Sequence, residues 1–302
     1  MNIVYDIKNL VKQYPNQTKL ANDHINLTIA EGEIFGLLGA NGAGKSTLVK
    51  QMVNLLTSSS GEILFYNQPL HKDPIALSMQ VGYMPQDSAA LNQLTIREAL
   101  YFTAHLRGLS RNDAKADREK VINLWGLRPF QNQTSTKLSG GQKRLFRLAV
   151  ASAGRPPVLI LDEPTNDLDP ERRKQVWQVL QTLNEAHGIT IIFITHDAIE
   201  AEKVIQRVGI MKDGKLIVNG RPADLKKQLN QKMRLELFFT ERPPTLPPQL
   251  TKHIIDKNRW HLWVAPEEVS MVLGQLDLNQ LDDFKLVSAT LEDLYLHYAT
   301  ET

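Results

Sequence analysis

Gly39 to Thr47 reads GANGAGKST, and within it Gly39, Gly44, Lys45 and Ser46 satisfy the spacing G-x-x-x-x-G-K-[ST]. The chemistry this spacing serves is the cradling of phosphate. Glycines let the main chain close around an anion without a Cβ in the way, and successive N–H groups at a helix start present partial positive charge. Asn41 and Gly42 lie in the loop itself, Lys45 is placed for the β- and γ-phosphates, Ser46 for Mg²⁺, and Thr47 supports the phosphates. A plain glycine turn between strand and helix needs no such lysine. Here the apolar strand Ile34 to Leu38, the loop and a helix starting near Lys45 follow in the required order.

Two further groups narrow the chemistry. Leu138 to Gln142 reads LSGGQ, in which Ser139 predicts a helix N-cap, Gly140 and Gly141 bare the backbone, and Gln142 opens an amphipathic run to Ala151. This is a second anion-binding helix terminus. One nucleotide site with two such termini suggests a sandwich, the phosphates of one chain capped by the second terminus of another. Val158 to Leu161 is a continuous apolar run of the kind buried on both faces of a parallel sheet, and Asp162 and Glu163 stand at its carboxyl end, where ligands collect. On a regular strand the two carboxylates point to opposite faces, but Pro164 stops the strand and frees Glu163 to turn toward the site. Asp162 suits Mg²⁺, bound directly or through water, and Glu163 suits polarising an attacking water.

These motifs in this order resemble the nucleotide-binding subunits of ABC transporters, over about residues 1 to 225. The resemblance implies an ATPase and adds residues that spacing alone does not single out. Tyr14 corresponds to the aromatic stacked on adenine, with Tyr5 as its competitor. Gln86 in YMPQD corresponds to the glutamine that meets Mg²⁺ and water and senses the membrane partner. Asn166 to Asp169 corresponds to the segment that crosses the dimer seam, with Asp169 near nucleotide. His196 corresponds to the histidine on the γ-phosphate. Catalysis in this reading involves Glu163, His196 and Gln86, and Mg²⁺ is held by Ser46, Gln86 and Asp162. One departure stands out: Asn166-Asp167 occupies the place where many members carry Ser-Gly. The last helix, TLEDLYLHYA, resembles the ends of ATPases from ABC-2 type exporters, which implies export through a separate integral-membrane permease, driven by a second copy or a paralogue paired head to tail. The alternatives are an importer ATPase and a soluble ABC-type ATPase with an assembly or scaffold role.

Composition sets outer limits. The 302 residues are 42% hydrophobic, enough for a full core and about two domains. A net charge of +2 is weak support for nucleic acid, and none is expected as a partner. There are no cysteines, which excludes disulfides, thiolate metal sites and thiol catalysis. MNIVYDIKNL lacks the basic-then-apolar character of a leader, and no stretch approaches about 18 apolar residues. The expectation is a cytoplasmic protein, peripheral on the cytoplasmic face of the membrane.

The elements that must position these groups predict an α/β fold: a P-loop NTPase core, an antiparallel β subdomain, a helical subdomain and a small C-terminal α/β appendix. Ile3 to Val11 and Ile25 to Ile29 alternate as antiparallel strands do, Glu62 to Tyr66 adds another, and Val81 to Met84 leads into Gln86. The helical subdomain spans about 87 to 137, with Thr95 and Glu98 at capping-box spacing before a run to Arg107 and a charged helix from Arg111 to Trp125. Arg172 to His187 is a helix ended by Gly188, and Asp213-Gly214 turns a hairpin within Ile210 to Val218. The ATP-binding domain is placed at 1–225 and an accessory domain at 226–302. The latter holds strands at Arg234 to Phe239, Trp260 to Val264 and Phe284 to Val287, a helix at Pro266 to Leu276, and a last helix whose Leu291, Leu294, Tyr295 and Tyr298 stripe packs on the main domain or, as the alternative, fits a partner's groove.

Overall fold

The computed structural model describes residues 2–86, 91, 93–195, 202–228, 233–240, 243–246, 252–287, 290–291 and 293–294. Strands Ile34–Gly39 (β3), Val158–Asp162 (β7) and Thr190–Ile194 (β8) are buried at every position. A strand of that kind is stable only with both faces covered. They form the middle of a six-stranded sheet, flanked by Val81–Met84 (β6) on one side and by Arg207–Lys212 (β9) and Lys215–Gly220 (β10) on the other, in the order β10-β9-β3-β8-β7-β6. The pairs β3/β8, β3/β9, β6/β7 and β7/β8 are parallel. Parallel pairing puts the carboxyl ends of β3, β6 and β7 at the same edge, so the segments that follow them meet there.

A second, antiparallel sheet runs β2-β1-β4-β5, from Ile3–Gln13 (β1), Leu20–Ala30 (β2), Ser60–Phe65 (β4) and the short Gln68–Pro69 (β5). One apolar cluster fastens the two sheets, joining Val4, Ile25 and Leu27 to Phe35, Leu37, Leu48, Ile160 and Ile194. Between β6 and β7 lie the helices Ile96–Leu106 (α3), Arg111–Leu124 (α4) and Gly140–Ser152 (α5). Thr95 and Glu98 form the expected capping box, and Ser110 caps α4. Trp125 is fully buried and its Nε1 donates to Ser152 Oγ at 2.9 Å, which ties the end of α4 to α5. Arg107 closes α5 from the other side: its Nη1 donates to the carbonyls of Ala151, at 2.8 Å, and Ala153. Burial pulls that guanidinium down to about 10, against the opposing pull of Asp117.

The described residues divide into two compact units. The first runs through Thr195 and resumes at Lys203–Asn219; the second contains Glu202 and everything from Gly220 onward. The division falls before the helix Pro222–Gln228, whose Lys226 forms an ion pair with Glu202 of the same unit. In the second unit Met233–Phe238 (β11), Lys252–Asp256 (β12), Arg259–Val264 (β13) and Asp283–Val287 (β14) form an antiparallel sheet ordered β12-β13-β11-β14. Leu235, Leu237, Leu262 and Val264 cluster with Val272 of a helix and with Leu276 just past its end. The opposite face buries Glu236 against Arg234 Nε (2.9 Å) and Arg259 Nη2 (2.7 Å), while Arg234 Nη1 also pairs with Asp293 at 2.5 Å. Leu291 and Leu294 are fully buried; Tyr295 and Tyr298 of the same stripe lie outside the described residues.

Most sequence-read elements are in place among the described residues, and the additions include β5, β12 and the helix Pro74–Gln80 (α2), which Asp73 caps through the Ala76 N–H at 2.9 Å with Pro74 at its first position. The predicted helix Pro266 to Leu276 is a 3₁₀ turn, Pro266–Glu268, followed by an α-helix, Val269–Gln275.

Candidate functional site

The loop after β3 enters the helix Lys45–Met52 (α1) through Gly44, which adopts φ 102°, ψ 0°. No L side chain fits there. A Cβ would stand 2.2 Å from the Ala21 carbonyl oxygen, so the loop is pressed against β2 at this point. The Lys45 ammonium is buried and donates to the carbonyls of Gly39 (2.6 Å) and Ala40 (2.9 Å). Burial lowers its proton affinity, and the nearby carboxylates of Glu163 and Asp162 oppose that shift.

One cleft gathers groups that are far apart in sequence: Tyr14, Asn41 to Thr47, Gln86, Asp162 and Glu163 all line it. Tyr14, rather than Tyr5, faces this cleft, with its hydroxyl 3.3 Å from Thr47 Oγ1 and the Lys12 ammonium 5.6 Å from its ring centre. Tyr5 is wholly buried, donates to the Met52 carbonyl at 3.2 Å and belongs to the core. Gln86 follows β6 and its carbonyl accepts from Arg147 Nη1 at 2.8 Å.

The two carboxylates reach the same cleft by a backbone device. Asp162 ends β7 in regular extended form, whereas Glu163 takes a left-handed φ of 52°. That turn breaks the strand's alternation and brings its side chain to the side Asp162 already faces. The Glu163 N–H still donates to the Ile194 carbonyl at 2.9 Å, so the turn stays fastened to β8. A left-handed glutamate is unfavourable by itself, and such positions persist where surrounding structure enforces them, often at functional sites. Asp162 is pushed up from the usual carboxylate range by burial, an effect the hydrogen bond from Ser46 offsets in part and the Glu163 charge reinforces. Ser46 and Asp162 are thus adjacent hard-oxygen groups. No cluster of three or more His, Asp or Glu side chains able to hold a metal occurs among the described residues. The oxygen donors present fit Mg²⁺, which keeps water and phosphate ligands and needs only one or two protein groups.

Other predicted residues sit elsewhere. Ser139 caps α5 in a capping box with Gln142: Ser139 N–H donates to Gln142 Oε1 at 2.9 Å, and Gln142 N–H to Ser139 Oγ at 3.4 Å. None of Ser139, Gly140, Gly141 and Gln142 is among the residues lining the cleft. Asp169 likewise lies outside it and caps the helix Pro170–His187 (α6), accepting from the Arg172 N–H at 2.9 Å. His196 is outside the described residues.

With this geometry in view, the comparisons with known proteins are specific. The family model described as ABC transporter matches residues 22–166. Methionine import ATP-binding protein MetN 1 of Oceanobacillus iheyensis is 31% identical over 252 residues, covering 82% of this chain and 75% of that protein. The chain belongs to the ABC transporter family. Among other ABC transporter relatives, the human retinal-specific phospholipid-transporting ATPase ABCA4 is 36% identical over 220 residues, which is 73% of this chain but 10% of that protein. The chain thus spans about a tenth of the length of such relatives. An ATP-binding cassette solved as a dimer in a post-hydrolysis state with ADP and Pi superposes with a TM-score of 0.66 at 27% identity, covering 72% of this chain and 98% of that one. This ABC-family chain is accordingly an ATP-binding ATPase with the P-loop NTPase fold.

Sequence reasoning missed the wall supplied by the antiparallel sheet. Gln17, Lys19, Leu20 and Ala21 line the cleft, and Asn22, wholly buried, donates through Nδ2 to the Gly44 carbonyl at 3.1 Å while accepting from Gln51 Nε2 at 2.6 Å. Alternation through Ile25, Leu27 and Ile29 places Asn22 on the opposite face. His24, left-handed at φ 52°, shifts the parity and turns Asn22 inward. A polar residue near a loop whose main chain needs a donor was the available signal, and it is a weak one.

Proposed function

We propose that this chain is the motor subunit of a transporter: two copies, or one copy and a paralogue, close head to tail on Mg·ATP and drive a separate membrane permease. One observation carries the reading. Tyr14, the phosphate loop, Gln86, Asp162 and Glu163 share one cleft, while the Ser139–Gln142 helix terminus lies outside it. A nucleotide held in the cleft is therefore left uncovered by this chain's own terminus, which is free to cap the nucleotide of another chain. Tyr14 stacks on the base, Asn41 to Thr47 hold the phosphates, and Ser46, Asp162 and Gln86 hold Mg²⁺, whose contribution is charge neutralisation. Glu163 orients the attacking water, with Gln86 and His196 completing the catalytic set. Asp169 and the Ser139–Gln142 terminus belong to the partner's nucleotide. Catalysis is then mainly positioning and charge stabilisation.

Export of the ABC-2 type is the favoured direction, supported by the resemblance of the C-terminal segment; the match to a methionine import protein supports import as the second reading. No described helix is long and apolar enough to cross a membrane. The proposed place is peripheral, on the cytoplasmic face of the membrane beside the permease, and the net charge of +2 gives no reason to add a nucleic-acid partner.

The test is Glu163→Gln. Turnover should fall by about 10²–10⁴-fold with ATP binding retained. The variant should then dimerise on Mg·ATP, as read by light scattering, and Ser139→Arg should prevent it. Undiminished turnover removes Glu163 from the mechanism, and a monomer at saturating Mg·ATP refutes the sandwich. Reconstitution with the co-purifying membrane protein decides the direction of transport.

A further inference from the structure

The segment from Glu163 to Asp169 holds two non-glycine residues in the left-handed region, Glu163 at φ 52° and Asp167 at φ 61°. Between them the Asn166 N–H donates to the Glu163 carbonyl and the Leu168 N–H to the Thr165 carbonyl, both at 3.3 Å, so the path from the catalytic glutamate to Asp167 is a pair of tight interlocked turns. A displacement of Asp167 is therefore passed on to Glu163 with little slack.

The same segment is docked on α5 at two successive turns. At Gly141 a Cβ would stand 2.7 Å from Arg172 Nη1 and 3.3 Å from Leu168 Cδ2, so Leu168 and Arg172 pack directly over the bare backbone of the helix entrance. Three residues on, and so on the same side of the helix, Arg144 Nη2 lies 3.5 Å from Asp167 Oδ2. The partners differ in setting. The Arg144 side chain is 7% exposed and the Asp167 side chain 81% exposed. A buried guanidinium faces an open carboxylate at the tip of a left-handed turn, where glycine would sit with least strain but would bring no charge.

We propose that Asp167 is a positioning residue for ATP hydrolysis: its ion pair with Arg144 couples the Ser139–Gln142 terminus to Glu163, so that engagement of that terminus reaches the catalytic carboxylate through Asn166–Asp167. The proposal rests on the roles assigned above to Glu163 and to the helix terminus. Asp167 is not among the residues lining the nucleotide cleft, so its removal should act on kcat and leave ATP binding alone.

Asp167→Asn keeps the size and the tolerance of left-handed backbone and deletes only the charge. It should lower kcat by about 2- to 30-fold, the range of coupling through such contacts, with KM for ATP and the unfolding temperature unchanged. Asp167→Glu, which restores the charge, should recover most of the lost kcat. In an Arg144→Gln background, Asp167→Asn should have no further effect. Should Arg144→Gln fail to fold, rescue by Asp167→Glu still decides. Wild-type kcat in Asp167→Asn overturns the proposal, as does a loss of kcat accompanied by an equal loss of thermal stability or a kcat in Asp167→Glu no higher than in Asp167→Asn. Wild-type turnover in Glu163→Gln is distinguishable from these outcomes: it refutes the site assignment itself, and the proposal with it.

Discussion

Two glycines of the phosphate loop have similar backbone angles and opposite surroundings, so alanine at each separates strain from fit. Gly42 has φ 81° and, among the described residues beyond its chain neighbours, no atom within 4 Å of a Cβ built on it; Gly44 has φ 102° and the Ala21 carbonyl oxygen 2.2 Å away. Gly42→Ala therefore carries only the cost of left-handed backbone, about 1–2 kcal/mol. Gly44→Ala carries a cost of about 1–3 kcal/mol for a conformation alanine rarely takes. It must also move the loop, or β2, by about 1 Å to restore van der Waals contact with Ala21. Asn22, held by Gln51, donates to the Gly44 carbonyl and fastens the loop to β2, so the loop has little room to yield. A shift of about 1 Å in a group that positions reacting atoms lowers the rate by about 10²-fold. Steady-state phosphate release across a range of ATP, paired with thermal unfolding, reads both effects. Gly44→Ala should lose about 10²-fold in kcat/KM beyond the loss in Gly42→Ala, and about 1–3 kcal/mol more stability for the overpacking at Ala21. Equal kcat/KM in the two variants would refute the claim that the Ala21 wall sets the loop.

The second unit yields two further expectations. Glu236→Gln leaves the Arg234 and Arg259 guanidinium groups short of a buried countercharge and should cost about 3 kcal/mol in urea unfolding, at the low end for a broken buried pair because Arg259 is partly exposed. His261 is held below its ordinary value by burial, with Arg234 and Arg259 adding to the shift and Glu236 opposing it. The unfolded chain therefore takes up a proton at this position first, so stability should fall as the pH drops below about 6.5, and His261→Gln should lose that part of the slope. A slope unchanged by the substitution would remove His261 as its source.

Local rules were enough to read much of this protein from its sequence. The loop Gly39–Thr47, the caps at Thr95 and Ser139, the hairpin at Asp213-Gly214 and the parallel strands all depend on residues within a few positions of one another, where backbone sterics and hydrophobic period act directly. Tyr14, Gln86 and Asp169 are different: nothing in their neighbourhoods marks them, and they were found through family resemblance. Three features belong to the tertiary structure alone. Asn22 faces the phosphate loop because a left-handed His24 overturns the alternation of β2, and a single-residue shift in parity leaves no trace in hydrophobic pattern. Glu163 joins Asp162 in one cleft because β8 holds its N–H while its backbone turns left-handed, a strain only surrounding structure sustains. Asp167 meets Arg144, 23 residues away in sequence, because α5 and the segment after β7 pack side by side. Pairing between charges so separated depends on where the fold puts them, and no local propensity encodes it.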